Sequence, residues 1–293
     1  TKEEMELYGR RYHSEGQYET DSGPYQLADG THVDYYDDHT DNYLQLNNQL
    51  IVNQRLSDRW MLNLTGFYTY GYGYYRQYKA DRTLAEYLNL GITDYGVEAD
   101  IIRSKVMENH TGGVNAAAAY KADNLSLIVG GSWSVYACPH WGELDWVDGM
   151  RESTIAGHWY DNDVRKQDAN IFAKVDWSVV RGLDIVADVQ YRHVHYKAWG
   201  VNDNFDWNTM QMQPIDINNG YNFLNPHLGI SYRFAKHHQL YGSAAIAHKE
   251  PTRSDFTDRY MFSADDSYPE SERLYDFELG YSFTSPRVSV GVN

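Results

Sequence analysis

Along most of this chain apolar and polar positions alternate with a period of two, the spacing that sends successive side chains to opposite faces of a β-strand. Between Trp60 and Tyr70, the residues Trp60, Leu62, Leu64, Tyr68 and Tyr70 fall on one face and Asn63, Thr65 and Thr69 on the other. Leu125, Leu127, Val129, Trp133 and Val135 oppose Ser126, Gly130, Ser132 and Ser134, and Ala169, Ile171, Ala173, Val175 and Trp177 oppose Asp168, Asn170, Lys174 and Asp176. Leu183 to Arg192, Leu228 to Phe234 and Tyr275 to Phe283 repeat the pattern, with weaker runs around Leu44 to Gln54, Gly112 to Lys121, Leu240 to His248 and Val288 to Asn293. The pattern predicts about ten strands of roughly ten or more residues, longer than the usual globular strand.

The connections alternate between short and long. Leu56-Ser57-Asp58, Lys121 to Asn124, Val180-Arg181-Gly182, Lys236-His237-His238 and Ser285-Pro286-Arg287 have ordinary turn chemistry. Between these hairpins lie polar stretches of 24 to 38 residues, near Gly73 to His110, Pro139 to Arg165, Lys197 to Gly220 and Lys249 to Glu272, which read as loops. Long strands with all their long loops at one end are the signature of an outer-membrane barrel.

The two faces agree with that expectation. One is apolar and capped by Trp or Tyr (Trp60 with Tyr70, Trp177, Tyr191), as a lipid-facing band between aromatic girdles requires. The other carries Asp168, Lys174, Asp184, Asp188, Arg192, Arg233, Asp276 and Glu278, a set too costly for a dry core and suited to a wet or plugged lumen. The expected fold is therefore all-β, an antiparallel transmembrane barrel. About ten strands with charged inner faces fall short of a wide barrel. The chain starts in a turn-rich stretch, Gly16 to Asp41, and stops at Val290 to Asn293 in mid-strand. Residues 1–293 are thus expected to be one domain, incomplete at both ends, since open edges are not tolerated in lipid.

Composition sharpens the picture at four points. Tyr (27), Trp (8) and Phe (9) make 15% of the chain, a surplus suited to strands and interfacial belts. A net charge of −16 argues against a nucleic-acid partner, which needs a Lys/Arg surplus. No 18-residue apolar run exists for a membrane helix, and Thr1 to Arg11 holds no signal-peptide core. The single Cys138 can make no internal disulfide.

Several segments together resemble TonB-dependent outer-membrane receptors of the kind found in Bacteroidetes-type bacteria. They are Asp38 to Gln49 (DDHTDNYLQLNNQ from Asp37), Tyr68 to Tyr78 (YTYGYGYYRQY), Tyr136 to Trp146 (YACPHWGELDW), Trp159 to Asp163 (WYDND), Tyr191 to Tyr196 (YRHVHY), Asn225 to Tyr232 (NPHLGISY), Lys249 to Asp258 (KEPTRSDFTD) and Pro269 to Tyr281 (PESERLYDFELGY). The last two are the most specific, and Cys138-Pro139-His140 departs from the Gly-Asp-His more common in the family. The resemblance implies a barrel of about 22 strands in the Gram-negative outer membrane, with an N-terminal plug and a TonB box that are absent from this sequence. It implies import of a scarce small molecule of the ferric siderophore, haem or cobalamin class, energised through TonB, with outer-membrane lipids around the barrel and no enzymatic step. Extracellular loops would capture the ligand.

Candidate residues follow from position. Tyr72, Tyr74 and Tyr75, within the run Tyr68 to Tyr78, and His140, Trp141 and Trp146, in an expected loop with Glu143, are the ligand-binding candidates. Lys174, Asp184, Asp188, Arg192, Arg233, Asp276 and Glu278 are candidates for lumenal salt bridges to the plug, because lumen charges need partners. Glu250, Arg253 and Asp255 are expected to form a rim network. His193 and His195 read as interfacial anchors ahead of a metal pair, and His237-His238 as a solvated turn. No cofactor is expected; the acidic clusters Asp161-Asn162-Asp163, Asn202 to Asn204 with Asp206, and Asp265-Asp266 lack the full spacing of a Ca²⁺ loop and read as solvated. Ser254, His248 and Asp255 supply hydrolase residue types without a nucleophile motif. Two other classes compete: a soluble secreted carbohydrate-binding all-β protein using the aromatics as sugar platforms, and a passive porin-like channel.

Overall fold

A computed structural model describes residues 2, 16–23, 25–27, 29–91, 96–151, 154–257 and 269–293. A small three-stranded sheet, β1 (Gln17–Thr20), β3 (His32–Tyr35) and β2 (Tyr25–Gln26) in that order, precedes a ten-stranded one. The large sheet contains β4 (Thr40–Arg55), β5 (Trp60–Thr83), β6 (Glu98–Lys121), β7 (Leu125–Val147), β8 (His158–Val180), β9 (Leu183–Asp206), β10 (Gln211–Ala235), β11 (His238–Lys249), β12 (Glu272–Thr284) and β13 (Ser289–Val292). Within this large sheet consecutive strands pair antiparallel in sequence order, in the meander that the alternating pattern predicts. Among the described residues no helix is long and apolar enough to cross a membrane.

The short turns fall where turn residues stand. Gly182 has φ +88, and a Cβ there would sit 2.6 Å from the Arg233 carbonyl oxygen, so this turn requires glycine twice over.

Strand length corrects the sequence expectation. β5, β6 and β9 each run 24 residues, about 80 Å at 3.3 Å per residue, against an apolar band of about 25 Å. The stretches near Gly73 to His110, Pro139 to Arg165 and Lys197 to Gly220 are therefore mostly strand, and the β9–β10 connection shrinks to 207–210. Above the bilayer both faces meet water or protein, so the hydropathy alternation stops while the hydrogen-bond ladder continues.

Register shows which residues share a face. Leu50 (72% exposed), Ile171 (67%), Phe277 (75%) and Leu279 (76%) belong to one broad apolar surface, far larger than a protein in water tolerates. Aromatic pairs such as Trp60 with Tyr120 (5.1 Å) edge it near the short turns, and Tyr68, bonded to His110 Nδ1 at 2.7 Å, edges it on the other side. The buried core lies higher, at the end with the long connections. There the 3₁₀ segment Leu84–Leu90 reaches from β5 to β8 and β10 across the opposite, concave face, and Leu84, Tyr87, Ile101, Leu144, Trp159 and Tyr160 pack together. A short helix, α1 (Arg253–Thr257), sets Phe256 against Val164, Ala198, Ile215 and Ile217 on that same face.

Candidate functional site

A polar basin occupies the concave face at this mouth. Period-two geometry on β5 to β10 brings its wall residues together: Tyr75 pairs with Lys105, Lys105 with Gly142 and Gly142 with Tyr160, while Met107 pairs with His140, His140 with Asn162 and Asn162 with Gly200. Lys105 pairs with Asp203 and lies over the rings of Tyr75 (5.8 Å) and Trp159 (5.9 Å). Arg103 lies 5.8 Å from the Trp159 ring centroid. A cavity of about 540 Å³ is lined by His140, Tyr160, Asn202, Asp203, Arg253 and Ser254, among others.

The segment after β11 closes one side. Thr252 caps α1: Asp255 Oδ2 accepts from the Thr252 N–H at 2.6 Å, and Thr252 Oγ1 accepts from the Asp255 N–H at 3.4 Å, a reciprocal capping box. Arg253 donates to Asn162 Oδ1 (3.0 Å) and Asn202 Oδ1 (3.3 Å). Asn162 in turn donates to the Val201 carbonyl at 2.9 Å and Asn202 to Gln213 Oε1 at 2.8 Å, so the guanidinium docks on side chains already fixed by the strands. Glu250 accepts from Lys166 Nζ at 2.5 Å and from Arg192 Nη1 at 2.8 Å, and Arg192 also grips Asp168 with both Nε and Nη2. Glu250, Arg253 and Asp255 thus make three separate connections, two to the barrel wall and one internal cap.

Glu250 and His140, above the apolar band, have displaced protonation equilibria. Burial pushes the Glu250 carboxyl up, but the hydrogen bonds from Lys166 and Arg192 outweigh it and hold the group at about 2. Burial, reinforced by the Arg253 charge, lowers His140 to about 4, so its ring is neutral at pH 7.

The six expected ligand-binding residues do not form one cluster. Tyr75 and His140 face the basin. Tyr72, Tyr74 and Trp141 point to the outer face, because strand geometry sends Tyr74 and Tyr75 opposite ways where a loop would not. Trp141 stacks on His158 at 5.5 Å and donates to Glu143 Oε1 at 2.8 Å. Trp146 lines a different cavity of about 960 Å³ with Tyr78, Ile102 and residues of β1 and β3.

Six of the candidate lumen charges share the concave face by register, and Arg233 falls on the same face by alternation from Ser231. Asp188 bonds His227 Nδ1 at 2.8 Å, Asp184 accepts from Ser178 Oγ at 2.6 Å, and Lys174 lies 3.9 Å from Asp176. Among the described residues Arg233, Asp276 and Glu278 form no ion pair.

The other expectations resolve residue by residue. Asp161 and Asp163 lie on the outer face and Asn162 on the inner, so that triplet cannot converge on a cation. Asp203 is engaged by Lys105, Asn202 and Asn204 donate to Gln213, and Asp206 accepts from the Asn208 N–H at 2.8 Å. Asp265-Asp266 lies outside the described residues. His193 and His195 point outward beyond Tyr191 and bond Asn222 and Asn218, both at 2.9 Å. The turn histidines are also hydrogen-bonded, His237 to the Thr284 carbonyl (2.8 Å) and His238 to the Tyr281 hydroxyl (2.6 Å). His248 bonds Asn225 at 2.9 Å and Arg273 at 3.0 Å, and among the described residues no hydrogen bond joins it to Ser254.

Lys105, Arg103 and Lys166 are basin residues that the sequence reading did not single out, and Trp159, Tyr160 and Asn162 belong to the basin although the sequence reading gave them no such role. Continuing the β8 alternation upward from Lys174 through Asp168 places Lys166, Asn162 and Tyr160 on the inner face; treating that stretch as loop hides the signal.

The family model described as "TonB dependent receptor-like, beta-barrel" matches residues 6–293. Similar solved structures include the copper transporter OprC (11% identity, 87% of this chain and 39% of that one, TM-score 0.60). The siderophore receptor PiuA from Acinetobacter baumannii (13%, 85% and 39%, TM-score 0.56) and the ferric-catecholate import receptor Fiu from E. coli K12 (11%, 87% and 40%, TM-score 0.53) are similar in the same way. The chain spans about two fifths of the length of these structures. No curated protein sequence matches it.

Proposed function

We propose, from the premise that the chain belongs to the TonB-dependent receptor-like β-barrel family, that it is part of a receptor that captures a scarce ligand at its extracellular mouth and imports it with TonB-transmitted energy. Its place is the outer membrane of Gram-negative bacteria, the location of this family's barrels. The ligand we infer is a small chelate or macrocycle of the ferric siderophore, haem or cobalamin class. Ligand movement is transport, and the barrel supplies no covalent chemistry. The motifs at Lys249 to Asp258 and Pro269 to Tyr281 support placing it in the Bacteroidetes-type branch.

The observation that carries this reading is the basin: a lumen-facing surface at the mouth where Arg103, Lys105 and Arg253 stand beside Tyr75, Trp159 and Tyr160. Cations beside aromatic faces suit an anionic or π-rich small ligand. Below it, Lys174, Asp184, Asp188, Arg192, Arg233, Asp276 and Glu278 supply complementary charge for a plug. The test is accumulation of labelled ferric siderophores, haem and cobalamin by cells with and without the gene, in TonB-competent and TonB-deficient backgrounds. The expected result is accumulation of one of these that needs both the gene and TonB. Gene-dependent uptake that ignores TonB would make the barrel a passive channel.

A further inference from the structure

Two soft sulfur donors and an imidazole occupy neighbouring positions on the concave wall. Cys138 and His140 share the inner face of β7, and Met107 on β6 is the direct cross-strand partner of His140. Cys138 Sγ lies 3.5 Å from His140 Nε2. With metal–sulfur and metal–nitrogen bonds of about 2.3 and 2.0–2.1 Å at a tetrahedral angle, two such donors stand about 3.6 Å apart. The observed spacing thus matches one edge of a coordination tetrahedron. Directly paired residues hold their Cβ atoms about 4.5–5.5 Å apart, and the three rotatable bonds of methionine let its thioether turn toward the same point.

We propose that Met107, Cys138 and His140 form a binding site for a soft monovalent metal cation, Cu(I) or Ag(I), on the lumenal wall. The donor set selects soft ions: thiolate and thioether favour Cu(I), whereas hard ions need oxygen donors, and the nearby Asp203 carboxylate is already held by Lys105. Charge selects the same ion. Arg253 lines the cavity that His140 opens into, and a divalent ion would add positive charge beside it. A monovalent ion that replaces the thiol proton adds none: the metal–sulfur bond forms, the S–H bond breaks, the proton leaves to solvent, and nothing is oxidised or reduced. Cys138 is fully buried, so the ion arrives from the cavity through the His140 side. Among the described residues no hydrogen bond at Nδ1 commits the ring elsewhere. The inference goes beyond the uptake reading and depends only on where these three side chains stand.

The rival is a plain thiol–imidazole hydrogen bond. The full-length protein, purified in detergent under anaerobic conditions, is titrated with Ag(I) against a competing chelator, and retained silver is counted by mass spectrometry. Wild type is expected to retain one more silver ion per chain than Cys138→Ser, and Met107→Leu to weaken that ion's affinity at least about tenfold, with heat-modifiable migration unchanged. Equal retention by Cys138→Ser would overturn the site and leave the hydrogen bond. Should that variant fail to fold, Met107→Leu, a volume-conserving exchange, decides alone: unchanged affinity overturns the proposal.

Discussion

Arg192 on β9 and Glu250 after β11, 58 residues apart in sequence, are joined by two hydrogen bonds of 2.8 and 3.0 Å. They tie the capped segment 250–257 to the barrel wall just above the apolar band.

Removing one side of this network strands the other. Glu250→Ala leaves Lys166 without its carboxylate and Arg192 with Asp168 only; the expected loss is about 1–3 kcal/mol, the usual cost of an orphaned part-buried polar group. Thermal unfolding of the detergent-solubilised protein measures it. A variant as stable as wild type would show that the network is ornamental.

The Glu250 pair also sets an acid limit. Its folded-state value of about 2 lies below the ordinary 4.5, so its contribution is complete above about pH 4.5 and is lost as pH falls toward 2. Stability should be flat in this respect from pH 5 to 8 and fall below 4.5, with the fall shallower in Glu250→Gln.

His140 acts in a different window. A value lowered to about 4 from 6.5 means the unfolded chain binds a proton between those limits and the folded one does not. Its contribution is therefore present above pH 6.5 and lost on acidification toward 4. Histidine-selective NMR at pH 5 should show this ring neutral; a charged ring at pH 5 contradicts its burial.

Thr252→Ala removes the cap of α1 at an expected cost of about 1 kcal/mol, confined to that segment. Faster hydrogen exchange in 252–257, with strand amides unchanged, is the signature. Global loosening would mean that the helix is part of the barrel's core.

Most of the fold was legible because lipid imposes one solvent on each face. Ile171 and Asn170 differ for that reason, and so the strands through the bilayer and all five short turns could be read directly. The upper strands could not. Past Tyr70 and Asp168 the outer face meets water, so Tyr74 and Lys166 carry no hydropathic mark of being in a strand. The candidate site suffered most from this. Tyr75 and His140 were named and belong to the basin, but Tyr72, Tyr74, Trp141 and Trp146 were grouped with them as if a loop could turn all six inward. The basin's cross-strand contacts, such as Lys105 with Asp203 and Arg253 with Asn162, depend on register, which no local pattern encodes.

The central claim is that one face of this sheet is bathed in lipid while the other lines a lumen leading to the basin. Nitroxide labels placed singly at positions 169 to 175 of β8, in the membrane-embedded protein, test it by relative access to oxygen and to a water-soluble nickel chelate. Oxygen access should peak at Ala169, Ile171, Ala173 and Val175 and chelate access at Asn170, Phe172 and Lys174. Chelate access at every position, or no alternation at all, would contradict the account.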